Sequence, residues 1–456
     1  WIALIISLVM LGLSVVLWIN FNSAQGSMQF EEMYRWIPGV NIFYHLGIDG
    51  ISLPFVFLTS LLMVVSILVS WNINLKPKVF YALLLLLGTG MIGVFVSLDF
   101  ILFYIFWELV LLPMYFLISI WGSSNRMYAA TKFFIYTLFG SVLMLVGILM
   151  IYFNSGLNSF SIIELTKSNI APNMQNWIFL LLFMGFAIKV PMFPFHTWLP
   201  DAHTEAPTAG SVLLAGILLK MGCYGFIRIS IPILPDAARA WAPAIAILSI
   251  IGIIYGALAS LIQKDLKRLV AFSSVSHMGF VMLGISSLTP TAINGAVLQM
   301  FNHGCITGML FLLVGMVYER THTRQISELG GLANKMPLWA GILAFTSFAS
   351  LGLPGLSGFW GEFLVLFGTF NKGSIFSKVM VYLAVLGIVL GAAYLLWMLQ
   401  RVIFGKANEM LGALKRLSWL EVITLTPLIV IIIIVGVFPT PLINMINSSV
   451  TYILGI

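Results

Sequence analysis

The sequence predicts an all-α, polytopic transmembrane helical bundle, and three observations carry that prediction. The chain is 61% hydrophobic and 8% charged, with a mean hydropathy of +1.07. Apolar runs of about twenty residues recur from end to end, the length that crosses a bilayer core of about 30 Å. Lysine and arginine fall almost entirely in the short connections between those runs. A water-soluble domain carries about a quarter of its residues as charges, so here the bilayer is the solvent.

Taken in order, thirteen spans are expected: 1–20, 51–70, 79–98, 100–121, 132–153, 177–198, 209–231, 242–262, 268–288, 292–317, 337–370, 376–400 and 418–439. The connections are short, which makes 1–456 one transmembrane domain without a soluble module. The chain opens at Trp1 inside an apolar run. No basic n-region or small-residue cleavage site follows, so a further span, not a secretory leader, is expected before it. Cys223 and Cys305 both lie inside spans, have no metal-ligand spacing and read as small packing residues.

Numbering the connections alternately sorts the charges. Fourteen of the 22 Lys and Arg residues, among them Lys76, Arg126, Lys264, Arg320, Lys335 and Arg401, share one side; six share the other. The positive-inside rule makes the richer side cytoplasmic and puts the C-terminus outside. The net charge of +7 is therefore topological, spread over many loops and without the clustered patch of a nucleic-acid footprint.

The two remaining lysines, Lys189 and Lys220, lie within spans, as do Glu108, Glu362, His277 and His303. A charge at a helix centre costs roughly 2.5–3.5 kcal/mol on insertion scales, so several in one chain need a purpose. Glu108, Lys189, Lys220, His277 and His303 stand close to their span midpoints, in one layer within about 5 Å of the bilayer centre. Two readings fit: ion pairs and hydrogen bonds that only fix helix packing, or a lateral axis that handles protons. A desolvated lysine loses affinity for its proton and a nearby carboxylate restores it. Histidine titrates near neutrality. Together they favour the axis.

Two spans carry breakers at their middle, Pro191 and Pro194 after Lys189, and Gly352, Pro354, Gly355 and Gly358 before Glu362. Broken backbone survives at membrane depth only inside protein or beside a wet cavity. Spans three to seven and eight to twelve form two runs of five, about 79–231 and 242–400, with the broken span fourth in each. An odd run inverts the second copy, the arrangement of ion-translocating inverted repeats. Glu362 follows its break and is expected in the outer half, as the outlet group. His196, His203, Asp201 and Glu205, after the first break, either line an inlet or cap loops.

The strings FWELVLLPMYFLI, ATKFFIYT, HTWLPDAHTEAPTAGSVLLAGILLK, DLKRLVAFSSVSHMGF, YERTHTR and GEFLVLFG, spread over nearly the whole chain, resemble the antiporter-like subunit M family of bacterial respiratory complex I, the proton-pumping NADH:quinone oxidoreductase. The resemblance implies a fourteen-span family fold, of which the thirteen spans here lack the first. It implies that Glu108 and Lys189 form a modulating pair, that Lys220, His277 and His303 relay protons, and that Glu362 is the terminal acid. Sister L and N subunits and cation/proton antiporter subunits have lysine at that last position.

The resemblance further implies a subunit of a translocase in the bacterial inner membrane, beside L- and N-type neighbours. FMN, iron–sulfur clusters and quinone would belong to partner subunits, in keeping with a chain without a CxxC motif or a dinucleotide-binding glycine fingerprint. The competing readings are an M-like subunit of a ferredoxin- or hydrogenase-linked complex, a sodium/proton antiporter subunit, and a structural scaffold.

Overall fold

In a computed structural model of the chain, which describes residues 1–406, 408 and 411–455, the apolar runs fold as helices. Helix α1 (Ile2–Asn20) leads into a hairpin of β1 (Gln29–Ile37) and β2 (Ile42–Ile48). There follow α2 (Ser52–Val69), α3 (Pro77–Val96), α4 (Phe100–Leu109), α5 (Leu111–Trp121), α6 (Arg126–Asn154), the short α7 (Ile162–Leu165), α8 (Pro172–Lys189) and α9 (Trp198–Glu205). Next comes one rod of three helical pieces, α10 (Thr208–Leu213), α11 (Leu219–Gly225) and α12 (Ile231–Ile233), joined by π turns at Leu214–Leu218 and Phe226–Ser230. The second half comprises α13 (Pro235–Leu261), α14 (Leu266–Ser287), α15 (Pro290–Thr321), α16 (Leu332–Lys335), α17 (Pro337–Ser350), α18 (Ser357–Phe370), α19 (Ile375–Val402), α20 (Trp419–Val437) and α21 (Thr440–Leu454).

Among the described residues, eleven helices are long and apolar enough to cross a membrane, against the thirteen spans expected. The two that drop out, 177–198 and 337–370, are the spans with breakers. Each is split in two, as α8 with α9 and α17 with α18, because proline withholds a backbone donor and glycine allows the turn. A milder break separates α4 from α5 at Val110, where Pro113 cannot donate to the Leu109 carbonyl.

Two elements lie outside the expected spans, and the first also departs from the all-α class. The β1–β2 hairpin is a two-stranded antiparallel sheet pairing Met33 with His45 and Arg35 with Phe43. It is docked by the Phe43 N–H on the Asp99 carboxylate at 3.1 Å and the Leu98 N–H on the His45 carbonyl at 2.9 Å. The second is α21, which begins just beyond the last expected span and packs on α15.

The α10–α12 rod, α14 and α15 are enclosed completely by other helices, whereas α1 is only 17% buried and α19 and α20 each 33%. Small residues let the central helices approach. A Cβ on Gly304 of α15 would stand 2.8 Å from the Gly216 carbonyl oxygen of the rod, so the two backbones nearly touch. Lipid-like surface thus lies outside, and the polar residues are held in the one place where helices surround them.

Basic residues from the fourteen-residue set meet acids at one end of the bundle. Lys132 and Arg268 both reach Asp201, at 2.7 and 3.6 Å, and Arg324 reaches Asp265 at 3.2 Å. Arg320 holds Glu421 at 2.7 Å.

Candidate functional site: a buried polar axis

Lys220 begins where the first π turn of the rod ends. A π turn shifts backbone pairing from i→i−4 to i→i−5 and leaves a carbonyl open to another donor. The Lys220 ammonium donates to the Ala215 carbonyl within that turn, and its second contact is His303 Nδ1 on α15, at 2.7 Å. Lys220 is 0% exposed. Because a protonated lysine can only donate, Nδ1 of His303 accepts, and the ring proton sits on Nε2, which is buried without a partner.

The axis continues to α14. The rings of His303 and His277 stand edge to face with centroids 5.7 Å apart. His277 Nδ1 lies 2.9 Å from Glu362 Oε1, and its Nε2 lies 3.2 Å from the Ser350 hydroxyl. With Glu362 ionised, Nδ1 donates to the carboxylate and Nε2 accepts from serine. Gln299 donates from Nε2 to the same Glu362 oxygen at 3.1 Å. Lys220, His303, His277 and Glu362, from the rod, α15, α14 and α18, thus lie side by side, hydrogen-bonded at the two ends and in ring contact in the middle.

The breaks shape this path. In the first, the Met192 N–H turns back to the Ala187 carbonyl, and the indole of Trp198 donates to the Ile188 carbonyl at 2.9 Å. The α8 backbone therefore ends at Lys189 with its open carbonyl satisfied from within the break. In the second, the Leu353 N–H bonds the Phe348 carbonyl, another i→i−5 closure. Gly352 and Gly355 take φ of +79° and +93°, left-handed conformations that glycine adopts without penalty. Asn302 donates to the Ser357 carbonyl at 2.6 Å and ties α15 to the start of α18, one turn before Glu362.

Glu108 and Lys189 are neighbours without being an ion pair. Among the described residues, no ion pair joins them; the Lys189 ammonium lies 5.2 Å from the centre of the Trp107 ring instead. Lys189 is 2% exposed, and Glu108 Oε1 is buried with no hydrogen-bond partner. The packing reading, a formed Glu108–Lys189 bridge between helices, is not what this structure contains.

The four residues after the first break separate in role. Asp201 is engaged by Lys132 and Arg268, and Glu205 accepts the Asn125 N–H at 2.9 Å, so these two fasten loops. His196 stacks on Phe193 and meets Tyr255 edge-on at 4.8 Å. His203 is 0% exposed, stacks on Phe311 at 4.6 Å and has both ring nitrogens buried and unpaired, so it caps nothing. Cys223 and Cys305 are free and buried. No cluster of three or more potential metal ligands occurs among the described residues.

Sequence reasoning passed over Ser350, Gln299 and Trp198. Gln299 stands four residues before His303 and so shares its helix face. Ser350 closes α17 immediately before the glycine break, and Trp198 follows the proline break. Those adjacencies were the available signals.

A bundle with eleven helices long and apolar enough to cross a membrane among the described residues, two broken helices and a buried row of Lys220, His303, His277 and Glu362 defines a polytopic integral membrane protein. Residues 97–391 match the family described as NADH:quinone oxidoreductase/Mrp antiporter, TM. NADH-quinone oxidoreductase subunit M of Rickettsia bellii is 44% identical over 445 residues, covering 97% of this chain and 89% of the relative. F(420)H(2) dehydrogenase subunit M of Methanosarcina mazei is 43% identical over 454 residues, covering 97% and 90%. Among solved structures, a chain of respiratory complex I from Thermus thermophilus superposes with a TM-score of 0.87 at 29% identity, covering 99% of this chain and 100% of that one. The chain belongs to the NADH:quinone oxidoreductase/Mrp antiporter transmembrane family.

Proposed function

We propose that the chain is the M-type, proton-translocating subunit in the membrane arm of an NADH:quinone oxidoreductase. Its protons move through Lys220, His303, His277 and Glu362. The observation that carries this reading is the adjacency of those four groups, hydrogen-bonded at 2.7 and 2.9 Å at the two ends and in ring contact between the histidines. Lys220 gives its proton to His303 Nδ1, and the proton on Nε2 is released toward His277 across the 5.7 Å ring separation. His277 passes its Nδ1 proton to Glu362, from which it leaves on the outer side.

Glu108 and Lys189 act as the control. Approach of the Glu108 carboxylate stabilises the Lys189 ammonium, and withdrawal releases that hold. Since the two are apart here, the pair has room for a closed and an open arrangement. The chain carries no redox step of its own; FMN, iron–sulfur clusters and quinone reside in partner subunits, and L- and N-type neighbours flank it in a bacterial inner membrane with the C-terminus outside. The inverted repeats at about 79–231 and 242–400 supply the two broken helices.

The test is NADH-driven proton uptake by vesicles carrying assembled complex with Lys220→Met or Glu362→Gln. Pumping falls while assembly persists; wild-type pumping in both variants overturns the axis. The 43% identity to the Methanosarcina mazei subunit favours one second reading, an M-like subunit of a complex with another electron donor. Purifying the native assembly and assaying NADH:quinone activity together with bound FMN decides between the two.

A further inference from the structure

A cavity of about 320 Å³ opens at the end of the bundle where α13 and α19 begin and α14 and α18 finish, away from the polar axis. Arg239 and Lys372 stand at its mouth, and its inner wall is apolar, formed by small residues of α13 such as Ala242 and Ala246 facing Met380 of α19. Arg239 shares its charge with Asp236 at 3.2 Å, both side chains being well exposed. Lys372 forms no ion pair among the described residues. Thr369 lines the same cavity, is 3% exposed, and holds its hydroxyl Oγ1 buried with no hydrogen-bond partner.

We infer that this cavity is a binding site for an anionic phospholipid, its phosphate held by Lys372, Arg239 and the Thr369 hydroxyl and its acyl chain laid between α13 and α19. A cationic mouth alone would suit any anion. The largely apolar wall behind the mouth, with Ala242 and Ala246 of α13 facing Met380, suits one with a tail, since methylenes fill such a space better than water does. The free Lys372 ammonium and the unpaired hydroxyl are the two groups a phosphate oxygen satisfies: one supplies charge, the other a directed donor. Only a third of the residues in the span of α19 are buried within the chain, so this helix borders the lipid phase beside the cavity.

The experiment reconstitutes the assembled complex in nanodiscs with phosphatidylglycerol or phosphatidylcholine bearing the same photoreactive acyl chain, and maps labelled peptides. Phosphatidylglycerol is expected to label segments 242–250 and 376–384 about fivefold more than phosphatidylcholine, the weight of one lysine for an anionic lipid. Lys372→Gln should remove that preference and Thr369→Val should reduce it, with proton pumping unchanged, because neither residue belongs to the axis. Lys372 is exposed, so its variant folds; Thr369→Val keeps the side-chain shape. Equal labelling by the two lipids, or a preference unaffected by Lys372→Gln, overturns the inference. So does loss of labelling on adding free inorganic phosphate, which would mark a soluble anion as the occupant.

Discussion

Lys220 holds His303 at 2.7 Å while its other contact, the Ala215 carbonyl, belongs to its own helix. A lysine anchored to its own backbone at a π turn is positioned whether or not the histidine is charged. Replacing it by methionine keeps the packing volume and removes the proton. The rate of NADH-driven proton uptake should fall about tenfold or more in vesicles carrying assembled complex, an effect worth at least about 1.4 kcal/mol. A residual rate near wild type would contradict a relay through Lys220.

Glu108→Gln and Lys189→Met should leave assembly near normal, because no ion pair between them is lost. A scaffold role predicts the reverse, since breaking a buried pair costs about 3–5 kcal/mol. Blue-native gels for assembly, set beside pumping assays, separate the two: reduced pumping in intact complex supports the switch, and poor assembly with normal pumping supports the scaffold.

Trp198→Phe retains the ring and removes the indole donor from the Ile188 carbonyl, next to Lys189. A buried carbonyl left unpaired costs about 1–3 kcal/mol. Thermal inactivation of the solubilised complex should shift downward, and pumping should decline with it. Inactivation matching wild type would show that the break is held by other contacts.

Gly352→Ala should disturb Glu362 without touching the rest of the axis. Alanine at φ +79° costs about 1–2 kcal/mol. The added Cβ stands 3.5 Å from Glu362 Oε2, at ordinary contact. Backbone strain, not crowding, is therefore the expected cause of reduced pumping, and Gly352→Asn, which tolerates left-handed backbone better, should recover part of it.

Asp99 caps α4 by accepting the Ile101 N–H at 2.9 Å and the Leu102 N–H at 3.3 Å, and it also receives Phe43 from the hairpin. Burial raises its carboxyl above the usual range, against the lowering effect of those backbone donors. The raised value means that its charge opposes folding more as pH rises through it. Asp99→Asn keeps one acceptor oxygen for the cap and removes the charge, but its amide NH2 stands where Oδ2 accepts the Phe43 N–H, so the relief of the buried charge is offset by loss of the hairpin contact and its stability near neutral pH should fall between wild type and Asp99→Leu. Asp99→Leu should lose about 1 kcal/mol. Melting of the purified complex ranks the three.

The sequence by itself determined that this is a helical membrane protein, where most of its spans run, which residues are costly in a bilayer and where two helices must break. Each of those follows from composition, from periodic length, or from proline and glycine at a known place in the chain. Glu108, Lys189, Lys220, His277, His303 and Glu362 were all legible, because a charged or titratable residue inside an apolar run stands out without any knowledge of its neighbours. The hairpin between α1 and α2 was harder to see, since its strands carry mixed, largely exposed residues with no clean alternation.

Tertiary structure alone decided which of these residues touch. Glu362 is 85 residues from its hydrogen-bonded partner His277, and His303 is 83 from Lys220. Distances of that kind depend on how four helices cross, which no local pattern encodes. The same packing decided that Glu108 and Lys189 stand apart, that His203 is buried with both nitrogens unpaired while Asp201 and Glu205 fasten loops, and that Ser350 and Gln299 join the axis. Burial by neighbouring helices decides which of these expensive residues meet, Lys220 with His303 and His277 with Glu362, and which stay unpaired, as His203 does.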